Sequence, residues 1–174
     1  VEGYITPQIP DIRNGKKIAI IGSGPSGLAC ANRLNQKGYT VTVFEKDEKP
    51  GGLLRYGIPD FKLNKSVIDR RIKLMKEEGI IFKCSVEVGK QIKASKLLKE
   101  YDAVCIAIGS GVPRDLKVEG RDLKGIYFAL DFLKQQNRVI AGCSIPEGNR
   151  ISAKGKKILV IGGGDTGSDC VGTA

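Results

Sequence analysis

Apolar residues fall into two textures along this chain, short dense runs and longer stretches in which they recur every three or four positions. KIAII, inside KKIAIIG, is a continuous run closed by Gly22. A run this short and this rich in Ile predicts a strand covered on both faces, as in a parallel sheet. From Pro25 the spacing turns helical, with Leu28, Ala31 and Leu34 on one side and Gly38 as the stop. TVTVFE, residues 40–45, predicts the next strand. Residues 65–78 place Ile68, Ile72 and Met75 on one helical face, with Arg70, Lys73 and Glu77 elsewhere and Gly79 as the stop. IIFKC and VEV predict short β pieces, and Leu97 and Leu98 a small helix. DAVCIAIG, residues 102–109, predicts a second buried strand, and residues 127–136 a helix presenting Ala129, Phe132 and Leu133. ILVI, before Gly162, repeats the first strand's pattern, whereas residues before Lys16, with Pro7, Pro10 and Gly15, predict an extended arm. Buried strands joined by helices predict an open α/β sheet.

The same Gly-rich turn closes two of the apolar runs. GSGPSG, Gly22 to Gly27, fits the G-x-G-x-x-G pattern: the first glycine permits a tight bend, the second lets backbone approach a pyrophosphate, and the third lets helix and strand pack closely. The helix opening there offers free N–H groups and a positive dipole end to phosphate. Glu45, about 20 residues on at a strand end, is placed to accept hydrogen bonds from both ribose hydroxyls of an adenosine and to repel a 2′-phosphate. The first site is therefore expected to hold FAD or NAD(H) rather than NADP(H). GGGDTG, Gly162 to Gly167, repeats the pattern, and two dinucleotide turns imply two cofactors, a flavin and a nicotinamide nucleotide that reduces it.

Composition narrows the chemistry. The 174 residues contain no His, which removes Ser-His and Cys-His triads and His metal sites from this stretch. Five cysteines, with no C-x-x-C spacing, give no zinc or iron–sulfur signature, and most are expected as small core residues. The net charge of +10 is spread as scattered lysines with 6% aromatics and no Trp, which argues for a solvated surface over nucleic-acid binding. No apolar run nears the ~20 residues of a membrane span and no secretory pattern opens the chain, so a cytoplasmic location is expected.

Longer stretches carry a family resemblance. GSGPSGLACANRLNQKGYTVTVFEK, GGLLRYGIPDFKLNKSVIDRRIKLMKEEGI, GRDLKGIYFALDFL and ISAKGKKILVIGGGDTGSDCVGTA resemble the small (beta) subunit of NADPH-dependent glutamate synthase, as does the VEGYITP arm. The resemblance implies a Rossmann-like FAD-binding domain, incomplete here, followed by the start of a second Rossmann-like domain for NADPH. On this reading residues 1–15 are a linker from an iron–sulfur domain, 16–150 the first segment of the FAD domain, and 151–174 the opening of the NADPH domain. The [4Fe–4S] clusters are expected upstream, and the partner is a large (alpha) subunit.

Carried over by position, Gly22, Ser23, Gly24, Pro25, Ser26 and Gly27 would cradle the FAD pyrophosphate, with Glu45 at the ribose and Lys46 among the cofactor-binding residues. Gly52, Leu53 and Arg55 would lie along the flavin, Val86 near adenine, and Gly109 where backbone meets FAD. Gly162, Gly164, Asp165, Thr166 and Gly167 would bind NADPH. No general acid or base is expected. The sequence departs from the family at Tyr127, often His there, and in the loop at 139–149. Related readings are the flavin portion of ferredoxin–NADP oxidoreductases or of dihydropyrimidine dehydrogenase, or a redox module without enzymatic activity. The stretch on its own is expected to retain FAD weakly and to be poorly soluble.

Overall fold

A computed structural model describes residues 5–174 of the chain; the first four residues of the predicted arm lie outside the described residues. The residues gather into two compact units. One takes in the described residues up to Leu54 together with Lys65–Gly109, and the other Arg55–Asn64 and Ser110–Ala174.

The first unit is built on a parallel sheet of four strands, β1 (Lys17–Ile21), β2 (Thr40–Phe44), β3 (Ile81–Lys83) and β4 (Ala103–Ile106), in the order β3-β2-β1-β4. This is the half-sheet of a Rossmann-like fold: the chain builds outward from β1 through β2 to β3 and then returns to the far side of β1, creating a switch point between β1 and β4. Registers run Ile20↔Val43 and Ile20↔Cys105 on the two sides of the middle strand. Ala19, Ile20, Val41 and Val43 are fully buried, as the dense runs predicted.

Helix α1 (Pro25–Gln36) follows β1, the single-turn α2 (Leu53–Tyr56) follows β2, and α3 (Lys65–Glu77) precedes β3. The Ile68, Ile72 and Met75 face of α3 is buried as its spacing required. Helix α4 (Ala94–Glu100) buries Leu97 in a cluster with Ala19 and Phe44, against which Val86, Tyr101 and Val104 pack.

On α1 the buried face holds Asn35 where the apolar spacing pointed to Leu34. The carboxamide is satisfied on both sides: its oxygen accepts from Arg13 at 2.7 Å and its nitrogen donates to the Glu78 carbonyl at 3.0 Å. Arg13 also donates to the carbonyls of Tyr39 and Glu78, at 2.8 and 2.9 Å. The arm is thereby tied to the C-terminal ends of α1 and α3, where unpaired carbonyls and the dipoles favour a cation.

The second unit contains α5 (Ala129–Ile140), which packs on α6 (Asp165–Thr173), and a single 3-10 turn at Glu147–Asn149. Asn137 of α5 donates to the carbonyls of Tyr56 and Ile58, and Gln135 exchanges two hydrogen bonds with the backbone of Ile151. Lys62 pairs with the buried Asp169 of α6.

Three sequence expectations are corrected. ILVI before Gly162 forms no strand with the described residues, and Ile158, Leu159 and Ile161 stand exposed. A lone run of β-formers has no ladder to satisfy its backbone, so propensity alone does not make it a strand. Within residues 102–109 only Ala103–Ile106 forms a strand, and it is an edge of the four-stranded sheet, with Ile106 71% exposed. Of the cysteines only Cys170 is buried; Cys30, Cys84 and Cys105 are half-buried and Cys143 is exposed.

Candidate functional site

Gly22 leaves the middle strand with φ +102, a conformation that favours glycine, and its N–H donates to the Phe44 carbonyl at 2.8 Å. A Cβ here would lie 2.4 Å from the Ala107 carbonyl oxygen, so the turn is pressed against the chain just beyond β4. Gly27, in the first turn of α1, faces back onto the same point: its Cβ would lie 2.1 Å from the Gly22 carbonyl oxygen. Gly24 differs. It is the N-cap of α1 with φ −67 and ψ 179, and a Cβ there would meet nothing within 4 Å. Two of the three glycines are thus required by close packing within the protein, and the middle one borders open space. That is the division of labour a phosphate cradle needs, with the approach side bare and the rear closed.

Glu45, immediately after β2, is buried beside this turn. One carboxylate oxygen accepts from the Ser23 N–H at 3.0 Å and from the Ser23 hydroxyl, and the other accepts from the Asp47 N–H at 2.9 Å. The Ser23 hydroxyl also accepts from the Gly51 N–H at 3.0 Å. Ser23 thereby joins the Gly-rich turn, the acidic strand end and the 51–52 loop. Gly52, at φ +53, brings that loop against the turn: its Cβ would lie 2.8 Å from the Gly24 Cα.

Of the other residues singled out in the sequence, Pro25 and Ser26 are exposed at the helix start, as is Lys46 beyond Glu45. Leu53 is exposed and opens α2 in the first unit, whereas Arg55 is buried and belongs to the second unit. The Val86 N–H is held by the Glu45 carbonyl at 2.9 Å, which fixes the loop after β3 behind the carboxylate. Gly109 follows β4 at φ +67 with open space where a Cβ would sit. The functional residue that the sequence left unmarked is Asp47, whose N–H orients the Glu45 carboxylate; a backbone donor two residues on carries no side-chain signal.

The second turn repeats the first in the second unit. Gly162 has φ +121, Gly164 is an N-cap at φ −82 and ψ −176, and the Cβ of Gly167 would again lie 2.1 Å from the Gly162 carbonyl oxygen. Its residues, Asp165 and Thr166 included, are largely exposed. Lys62 lies near this helix; its pairing with Asp169 raises the ammonium above the ordinary lysine value, and Asp165 adds to the effect. Among the described residues no cluster of His, Cys, Asp and Glu is arranged to hold a metal ion, and no helix is long and apolar enough to cross a membrane.

Comparison with known proteins identifies the family. Residues 16–174 match the pyridine nucleotide-disulphide oxidoreductase family. The chain is 51% identical to the glutamate synthase [NADPH] small chain of Bacillus subtilis, over 99% of this chain and 35% of that one. It is 53% identical to the glutamate synthase [NADH] of Schizosaccharomyces pombe, over 99% of this chain and 8% of that one. It therefore spans about a third of the bacterial small chains and under a tenth of the yeast enzyme. Among solved structures, Mycobacterium tuberculosis FprA in complex with NADPH superposes with a TM-score of 0.63 at 33% identity, over 70% of this chain and 29% of that one. With a parallel β3-β2-β1-β4 sheet, two matched Gly-rich turns and a family match from Lys16 to the last residue, the chain belongs to the pyridine nucleotide-disulphide oxidoreductase family.

Proposed function

We propose that this chain is the dinucleotide-binding part of a glutamate synthase small subunit. The whole protein would pass electrons from NADPH, by way of FAD and iron–sulfur clusters, to a large subunit that makes glutamate from glutamine and 2-oxoglutarate. The observation that carries the reading is the first turn: Gly22 and Gly27 closed against each other, Gly24 open, and a buried carboxylate beside them at the end of the neighbouring strand.

When bound, FAD supplies hydride acceptance from a nicotinamide and stepwise release of electrons. The chain's own residues bind and orient. The N–H groups at the start of α1 would meet the pyrophosphate, with the helix dipole favouring its charge. Glu45 would take a ribose hydroxyl. A carboxylate has about four acceptor positions, and three are already used by Ser23 and Asp47. A second ribose hydroxyl would therefore displace the Ser23 hydroxyl from Glu45, leaving that hydroxyl still joined to the Gly51 N–H.

Lys46 would lie at the rim, and Gly52, Leu53 and Arg55 along the flavin. Val86 would serve near adenine and Gly109 where the chain leaves β4. In residues 151–174, Gly162, Gly164, Asp165, Thr166 and Gly167 would receive NADPH. The preference for NADPH rests on the similarity to the small chains. A cytoplasmic enzyme bound to its large subunit, with no role for nucleic acid or membrane, completes the reading.

The similarity to FprA favours a second reading, a flavoprotein reductase with a different electron acceptor. The test is anaerobic mixing of the full-length protein with NADPH or NADH, then assay with the large subunit for glutamate formation from glutamine and 2-oxoglutarate. Flavin bleaching with glutamate formed supports the first reading and identifies the nucleotide. Bleaching without glutamate supports the second, and no bleaching with either nucleotide refutes both.

A further inference from the structure

Cys30 and Cys105 are 75 residues apart in the chain, yet their sulfurs lie 3.8 Å apart, with the Cys30 S–H directed at the Cys105 sulfur. Cys30 is on α1, one turn beyond the Gly-rich bend, and Cys105 is on β4, in register with Ile20 of the middle strand. Both are free and half-buried. The remaining cysteines are placed elsewhere: Cys84 follows β3, at the opposite edge of the sheet, and Cys143 and Cys170 belong to the second unit.

We propose that Cys30 and Cys105 form a dithiol site for hydroperoxides, which closes to a disulfide tying α1 to β4 behind the first dinucleotide turn. Bonded sulfurs lie about 2.05 Å apart, so the gap to close is under about 2 Å. The roles of the two sulfurs differ. Burial, reinforced by the neighbouring Cys105, pushes the Cys30 thiol up, so Cys30 keeps its proton and donates it. Cys105, the acceptor of that S–H, is the sulfur that attacks.

The chemistry balances with hydrogen peroxide as oxidant. The Cys105 sulfur gives up its proton as it attacks one peroxide oxygen and the O–O bond breaks, leaving a sulfenic acid on Cys105 and a hydroxide that takes up that proton as water. The Cys30 sulfur then attacks the Cys105 sulfur; the S–O bond breaks, and the departing hydroxide takes the Cys30 proton as a second water. Two thiols and one peroxide give one disulfide and two waters. The product clamps α1, which carries Gly27 in its first turn, to β4, just beyond which Ala107 presses on Gly22.

The test is peptide mapping of the full-length protein after mild treatment with hydrogen peroxide, in buffer and in denaturing urea, with free thiols alkylated before trypsin digestion. The expected result is a linked pair of peptides, residues 18–33 with 100–114, lighter than their sum by two hydrogens, dominant in buffer and lost to mixed pairings in urea. In Cys30→Ser, dimedone should trap a sulfenic acid at Cys105; in Cys105→Ser it should trap none at Cys30. The proposal is overturned if both thiols stay alkylatable in buffer after Cys143 has oxidised. It is equally overturned if the linked pair is no more abundant in buffer than in urea. Neither outcome depends on the variants folding.

Discussion

Gly24→Ala separates binding from folding. The backbone at Gly24, φ −67 and ψ 179, suits any L-residue, and the added methyl would meet no protein atom within 4 Å. Alanine is a poorer N-cap than glycine, a loss of about 0.5 kcal/mol. It also removes freedom from the unfolded chain, a gain of about 0.4–1 kcal/mol. The net effect on stability is therefore within about 0.5 kcal/mol. The methyl instead occupies the space from which a pyrophosphate would approach the α1 N–H groups. Holding the phosphate off by a methyl's width forfeits two charge-assisted hydrogen bonds of about 1.5 kcal/mol or more each. The expected loss is about 3 kcal/mol, roughly a hundredfold in Kd. FAD affinity of the apoprotein by fluorescence quenching, with urea unfolding in parallel, measures both quantities. An affinity within about threefold of the parent would refute the cradle, since that is below 1 kcal/mol. A stability loss matching the affinity loss would show instead that Gly24 is needed for folding.

Gly27→Ala should do the reverse: its methyl would overlap the Gly22 carbonyl oxygen, backbone against backbone, and the net cost to folding is about 1–2 kcal/mol after the helix-propensity gain, read as a lower urea midpoint. Arg13→Ala removes donors to Asn35, Tyr39 and Glu78 and should cost about 2 kcal/mol in the first unit; a midpoint unchanged within error would show that the arm merely rests there. Because Asp169 raises Lys62 above its ordinary 10.5, the pair's stabilisation is fully present below that pH and is lost as pH rises through the raised value. Urea midpoints of the parent should thus fall relative to Lys62→Met only above about pH 10.5, and parallel profiles would remove the pair from the account.

The first unit was legible because its information is local. β1, α1 and β2 follow from a dense run, a switch of period and a second dense run, and the glycines between them announce the turn. What stayed hidden depends on residues distant in the chain. Asn35 reads as the polar side of a helix until Arg13 and Glu78 arrive to satisfy it. Cys30 and Cys105 read as small core residues because nothing in the spacing shows that α1 lies over β4. ILVI fails for the complementary reason: the pattern marks what a strand would be made of, and the ladder that would make it one is absent among the described residues. At the site the three glycines were legible as a motif, but their unequal roles emerged only from what stands beside each one.

The guanidinium of Arg13 has one more consequence, for proteolysis. Trypsin cleaves after arginine only when that side chain leaves the protein and enters the protease's own acidic pocket, and here it is engaged with Asn35, Tyr39 and Glu78. The peptide bond after Arg13 is therefore cut only in molecules whose arm has let go. When release and return are fast relative to cutting, the rate of that single cleavage counts the detached population. The arm carries its own reporter, one that reads its attachment without any label.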